Sequence, residues 1–451
     1  MNDTIAAIST ALGIGAISII RVSGPDAINI VNKITKFKKI TKVSSHTINY
    51  DYIVYNKKII DEVLISVMKA PKTFTKEDVV EINCHGGIAA TNKILEILLI
   101  NGCRLAEPGE FTKRAFLNGR IDLIEAEGIM DLINAKTEKT RSLAINELHG
   151  NVSNMIKNLR QKILEILANI EVNIDYPEYE DIEIMTIEQI KDQIKVIEKE
   201  VKEIIKKSED GKIIKEGITV ALVGRPNVGK SSLLNCLLET DKAIVTDIEG
   251  TTRDSVEGQI VLNGVVINFI DTAGIRKTDD KVEIIGVNKS LKIIENSDLV
   301  LFLLNNNEKI TKEDQEILNK IKNKNHIIVI NKNDLEKQID IEKLKNENIV
   351  YISAKINEGI EELKNKINEI FNLDKIETDD LTYLSNARSL SLMYQVLESI
   401  KSLKEGITNN MPIDMLEIDL KEVWSLLGSI IGETYEDELI NQLFSQFCLG
   451  K

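Results

Sequence analysis

ITVALVGRPNVGKSSLLN, residues 218–235, decides the fold of the central part of the chain. Residues 218–223 are apolar and β-branched enough for a buried strand, and a helical pattern opens at Lys230. Between them lies Gly224-x₄-Gly229-Lys230-Ser231, the spacing of a phosphate-binding loop. Its glycines let backbone N–H groups close around phosphate oxygens, and the helix N-terminus adds positive potential. Lys230 is expected on the β- and γ-phosphates and the Ser231 hydroxyl on Mg²⁺.

Downstream, apolar runs alternate with helical stretches: VVINFID (265–271), DLVLFLL (298–304), HIIVINK (326–332) and IVYIS (349–353). Strands alternating with helices predict a mostly parallel sheet. The Asn263-Gly264 pair inside VLNGVV predicts a hairpin and so one antiparallel strand. NKND (331–334) follows a strand and selects the base. The Asp334 carboxylate can accept from both N1–H and the 2-amino group of guanine, whereas adenine presents an acceptor there. Asn331 and Lys332 belong to the same motif, and SAK (Ser353, Ala354, Lys355) would add backbone contacts to the guanine oxygen. DTAG (Asp271, Thr272, Ala273, Gly274) would reach Mg²⁺ through water from Asp271 and the γ-phosphate from the Gly274 N–H. GTTRD (250–254) reads as the switch loop, with Thr252 the second Mg²⁺ ligand. These motifs, in this order, predict GTP as substrate. Ile275 stands where Ras-like enzymes place the water-orienting Gln. An isoleucine cannot polarise water, so hydrolysis is either slow or differently assisted.

Composition sets the outer limits. At 451 residues the chain is expected to hold two to four domains. Its net charge is −14, and residues 374–451 carry 14 acidic against 6 basic side chains. That balance disfavours non-specific nucleic-acid binding, which rests on phosphate neutralisation. The four cysteines are scattered without metal-ligand spacing, and no leader or membrane-spanning run is evident, so a reduced, cytoplasmic setting is expected.

Residues 1–118 mix short apolar runs with Gly and Pro, as an α+β domain does. From about residue 119 the texture is helical. Apolar residues fall at 152, 156, 159, 163, 166 and 170, then at 187, 190, 194, 197, 201 and 204, the stripe of a helix–helix seam. The expected organisation is an α+β domain (1–118), a helical domain (119–215 and 374–451) and an α/β GTPase domain (216–373) inserted in it. In NCHGG, Cys84 and His85 would point to opposite faces of a strand, which argues against a Cys–His dyad. The terminal Cys448-Leu-Gly-Lys does not suit prenylation, because Gly is not aliphatic and Lys is a poor last residue.

The chain as a whole resembles the MnmE/TrmE family of tRNA-modification GTPases. GAISIIRVSGPDA (15–27), VVEINCHGG (79–87), AEPGEFTKRAFLNGRIDLIEAEGIMDLI (106–133), the phosphate loop, VTDIEGTTRD (245–254), DTAGIR (271–276) and the terminal FCLGK (447–451) carry the resemblance. It implies a homodimer whose GTPase domains meet across a nucleotide- and K⁺-dependent interface, with K⁺ held by Asn227, Thr246, Ile248 and Thr251. It implies that Glu283 orients the attacking water. It further implies a nucleotide site of Asn227, Val228, Gly229, Lys230, Ser231 and Ser232, with Thr246, Asp247, Ile248, Glu249, Gly250, Thr251 and Thr252 in the switch. The N-terminal domain is implied to dimerise and to bind a formyl-tetrahydrofolate through Arg21, Glu81 and Arg120, where other members can carry Lys at position 120. The tail is implied to fold back so that Lys451 joins those contacts and Cys448 acts beside the one-carbon carrier. The implied reaction, run with an FAD-dependent partner of the MnmG/GidA type, places an aminomethyl-type group on C5 of the wobble uridine (position 34) of certain tRNAs. The rival reading is a regulatory GTP switch in ribosome assembly, which would be expected to carry a basic RNA-binding appendage.

Overall fold

The computed structural model describes residues 3–175, 187–240, 258–271, 293–340, 344, 348–375, 382–434 and 437–450. The chain divides into two compact units. One comprises Met1–Met130, Glu147–Ile194 and Glu398–Lys451; the other comprises Asp131–Asn146 and Lys195–Leu397.

The first unit contains a six-stranded sheet of β1 (Ile5–Ile8), β2 (Ile17–Ser23), β3 (Thr47–Tyr55), β4 (Lys58–Met68), β5 (Val79–His85) and β6 (Arg104–Leu105). Its order is β3-β4-β5-β2-β1-β6, antiparallel except for the β1–β6 pair. Alternation along the strands sends Ile20, Val22, Ile53, Ile65, Ile82 and Cys84 into a core beneath the helices Ala27–Ile34 and Ile88–Ile100. The opposite face leaves Ile17, Ile48 and Leu64 exposed. β5 bears out the opposed Cys84 and His85. Cys84 is buried, which raises its thiol pKa, whereas His85 is exposed and bonded at Nδ1 to Asp61 at 2.7 Å, which raises the imidazole pKa.

The helix Asn151–Asp175 packs along Ile413–Ile431 in the same unit. Every apolar position of its predicted stripe, Val152 through Ile170, is buried. The second stripe is buried at Ile190, Ile194, Ile197 and Val201, but two positions depart from it. Ile187 is the first residue of its helix and is exposed, and Ile205 replaces Ile204 as the buried residue near the far end.

The second unit carries a six-stranded sheet of β7 (Ile218–Val223), β8 (Gly258–Leu262), β9 (Val265–Asp271), β10 (Leu299–Asn305), β11 (His326–Asn331) and β12 (Ile349–Tyr351), ordered β12-β11-β10-β7-β9-β8. β8 alone runs antiparallel, through the Asn263-Gly264 turn, where both residues have positive φ (48° and 79°). The strands are apolar on both faces because helices cover both: β10 and β11 are buried at every residue. All parallel strands therefore end on one edge, and the loops that follow them share that edge.

Candidate functional site

The phosphate loop leaves β7 at Val223 and enters the helix Lys230–Thr240. Three of its residues have positive φ: Gly224, Asn227 (64°) and Gly229 (96°). Val228 is buried under the loop, Asn227 is exposed on it, and Ser231 and Ser232 lie in the first turn of the helix. The buried Lys230 ammonium donates to the carbonyl oxygens of Gly224 (2.7 Å) and Arg225 (3.1 Å), so the loop itself aims it. Asp271 ends β9 opposite Leu222 of β7, which brings its backbone beside the phosphate-loop strand.

Asn331, buried at the end of β11, ties three motifs together. Its Nδ2 donates to the Val228 carbonyl of the phosphate loop at 2.9 Å. Its Oδ1 accepts from the backbone N–H of Lys332 (2.8 Å) and of Ala354 in SAK (3.2 Å). The NKND and SAK segments and the phosphate loop are thus one hydrogen-bonded assembly, a role for Asn331 that its motif membership alone did not reveal. Gly229 makes the close approach possible, since a Cβ there would lie 2.2 Å from Asn331 Nδ2.

Asp334 sits in the exposed loop after β11 and accepts a hydrogen bond from the buried Ser353 hydroxyl at 2.6 Å. That bond is the leading reason its carboxyl stays below the usual carboxylate pKa, with Lys355 and Lys332 adding smaller attraction. The carboxylate is therefore ionised at neutral pH. Lys355 follows Ala354 in the exposed turn.

Sequence reasoning missed Arg225. Its Nε donates to Asp314 Oδ1 and its Nη2 to Glu308 Oε2, both at 3.0 Å. Asp314 is buried and closes the capping box of the helix Lys312–Ile321 with Thr311. The Thr311-x-x-Asp314 pattern announces that cap in the sequence, but nothing local announces its arginine partner.

The first unit holds a second constellation. Arg21 on β2 and Glu81 on β5 are direct register partners, joined Nε to Oε1 at 2.9 Å. The Arg21 guanidinium also lies 5.9 Å from the Phe74 ring centroid and 5.6 Å from that of Phe111. Arg120 covers Phe74 at 4.9 Å and donates to the Phe74 carbonyl at 3.2 Å. The C-terminal tail arrives at the same place. Phe444 and Phe447 pack with Phe116, and Gly109 N–H donates to the Cys448 carbonyl at 3.2 Å. The Gly450 carbonyl accepts from Arg21 Nη1 (3.2 Å) and Ser9 Oγ (3.1 Å). With φ +85° and a would-be Cβ 2.4 Å from the Ile8 carbonyl oxygen, position 450 requires glycine. Cys448, two residues before Gly450, is exposed, and the other three cysteines are buried.

Several residues named from the sequence lie outside the described residues: Thr246, Asp247, Ile248, Glu249, Gly250, Thr251, Thr252, Thr272, Ala273, Gly274, Glu283 and Lys451. Among the described residues no cluster of His, Cys, Asp and Glu is placed to hold a metal ion, and no helix is long and apolar enough to cross a membrane.

Two family models together match nearly the whole chain. Residues 4–120 match the family model "GTP-binding protein TrmE N-terminus" and residues 123–448 match "MnmE helical domain". The tRNA modification GTPase MnmE of Streptococcus thermophilus is 54% identical over 451 residues, covering 100% of this chain and 98% of that protein. The protein of the same description from Bacillus licheniformis is 50% identical over 458 residues, covering 100% of each. Among solved structures, a variant of Aquifex aeolicus Era bound to GDP and AlF4⁻ is 32% identical over 40% of this chain and 66% of its own, with a TM-score of 0.28.

Proposed function

This chain belongs to the MnmE/TrmE family of tRNA modification GTPases, and on that premise we propose that it couples GTP hydrolysis to modification of C5 of the wobble uridine, using a folate-borne one-carbon unit. It is a GTP hydrolase. The base is received by Asp334, ionised and steadied by Ser353, and the phosphates by the loop N–H groups, Lys230 and the N-terminus of its helix. Asn331 keeps the two halves of that grip in register.

The observation that carries the one-carbon reading is the docking of the tail on Arg21 through the Gly450 carbonyl, two residues after the exposed Cys448. A folate fits these residues: Glu81, held by Arg21, offers acceptors to the donor-rich edge of a pterin, and Arg120 and Lys451 offer cations to its carboxylates. When bound, the folate supplies the one-carbon unit. The chain's own part is to orient it between Phe74 and the tail and to keep a thiol, Cys448, next to it.

Mg²⁺ would be held by Ser231 and Thr252, and K⁺ by Asn227, Thr246, Ile248 and Thr251. Bound there, the cations supply positive charge against the charge that develops on the phosphates. The exposed Asn227 amide, held at φ 64° on the rim of the loop, suits a K⁺ ligand. Glu283 is assigned to positioning the attacking water, since Ile275 cannot.

The exposed Ile17, Ile48 and Leu64 on the open face of the N-terminal sheet support a homodimer built on residues 1–118. The helical domain (119–215 and 374–451) and GTPase domain (216–373) complete the proposed division. An FAD-dependent partner of the MnmG/GidA type and tRNA complete the reaction, in the cytoplasm. With a matched N-terminal TrmE domain in place of a basic RNA-binding appendage, the ribosome-assembly alternative has no observation in its favour.

Hydrolysis should run at least about tenfold faster in KCl than in NaCl at equal ionic strength, a difference of about 1.4 kcal/mol in the barrier. Phosphate-release assays read this directly. Equal rates in the two salts would remove K⁺ from the account.

A further inference from the structure

Beside the Arg120 end of the proposed folate site, the first unit has a cavity of about 390 Å³ that no part of the account so far uses. Its walls include His46, Pro71 and Phe74, and its charged lining is wholly cationic: Lys72, Lys76 and Arg120. No carboxylate lines it. The nearest acids along the chain are directed elsewhere. Glu77 bonds Arg114 and Ser23, and Asp78 accepts from the Ala70 N–H at 2.8 Å.

Two of the cations are already held in place by backbone. Lys76 Nζ donates to the Gly119 carbonyl at 2.9 Å, and Arg120 Nη1 to the Phe74 carbonyl at 3.2 Å. An ammonium has three N–H donors and a guanidinium five, so both keep donors for an anion. The pocket also shares one wall, Phe74, with the Arg21–Glu81 pair. One ring, Phe74, has the Arg21 guanidinium 5.9 Å and the Arg120 guanidinium 4.9 Å from its centroid.

We propose that this cavity takes the oligo-γ-glutamate chain of the folate, so that the protein selects polyglutamylated over monoglutamylated carrier; this rests on the folate reading above. Direction follows from charge. Glu81 repels carboxylates and takes the donor-rich pterin, so the carboxylate end must leave towards Arg120. Each further γ-linked glutamate adds one carboxylate in an extended, flexible chain, and the cavity answers with Lys72 and Lys76 besides Arg120. A nucleic-acid backbone is the alternative occupant, which the test below distinguishes. Because Lys72, Lys76 and Arg120 are exposed, each contact is screened and contributes modestly, and a preference of about tenfold is expected from several together.

Calorimetric titration of the full-length protein with 5-formyl-tetrahydrofolate bearing one or five glutamates tests this at low salt. The pentaglutamate should bind about tenfold tighter, and Lys72→Gln/Lys76→Gln should bring the ratio close to one. Both substitutions are at exposed side chains, and a circular dichroism melt checks that the fold is kept. Equal wild-type affinities for the two folates would overturn the assignment while leaving the folate reading in place. Failure of either folate to bind would overturn both. A ratio kept in the double variant, with tRNA affinity lost instead, would give the cavity to phosphate and overturn the proposal.

Discussion

Gly229→Ala should weaken binding of GTP and GDP by about 100-fold or more, about 2.8 kcal/mol, while leaving the sheet intact. Two costs fall on one methyl group. At φ +96° an L side chain is strained, and the added Cβ would lie 2.2 Å from Asn331 Nδ2, so one of the two must move. Asn331 is poorly able to yield. Its amide holds Val228 in the phosphate loop and Ala354 under the base, and displacing it loosens both ends of the nucleotide site at once. Fluorescent-GDP titration measures the loss, and a thermal melt separates it from unfolding. An affinity within twofold of wild type would mean that Asn331 does not hold the site together.

Asp334→Asn is expected to reduce GTP affinity by about 10³-fold or more and to erase the preference for GTP over ATP. The amide offers one acceptor where the guanine edge brings two donors, and its own N–H₂ then faces a donor. Ser353 would no longer donate to a charged oxygen, so the loop loses its anchor as well. The pH dependence has a definite sign. Because the folded-state pKa of Asp334 is depressed, guanine binding that depends on its charge is present above the ordinary carboxylate range and is lost only as pH falls below it. Between about pH 6 and 8 this carboxylate should impose no slope on GTP affinity. Retained discrimination in the variant would show that the base is read elsewhere.

What was legible in the sequence was whatever short spacing encodes. The phosphate loop, the Asn263-Gly264 hairpin, the buried stripe from Val152 to Ile170 and the opposed faces of Cys84 and His85 all depend on residues a few positions apart, and all are present. Ile187 failed because a first helical turn need not lie under its partner. Contacts between distant residues were not legible. Arg225 meets Asp314 across 89 residues, and Gly450 meets Arg21 across 429. Neither pair leaves a local periodicity. The tail was expected near Arg21 only through family resemblance; the reason it stops there is physical, a glycine turned into positive φ against the Ile8 carbonyl and two donors converging on its oxygen. The cationic cavity was equally invisible, because nothing local links Lys72 and Lys76 to Arg120, and only the fold gathers them around Phe74.

The central claim is that this GTPase modifies the wobble uridine of tRNA and does so with the tail thiol at its folate site. Mass spectrometry of tRNA nucleosides tests it most directly, on cells lacking the chain and on the same cells supplied with the wild-type or the Cys448→Ser protein. The account predicts that C5 aminomethyl-type uridines vanish without the chain, return with the wild type and stay absent with Cys448→Ser, although that variant hydrolyses GTP normally. An unchanged nucleoside profile in the cells lacking the chain would contradict it.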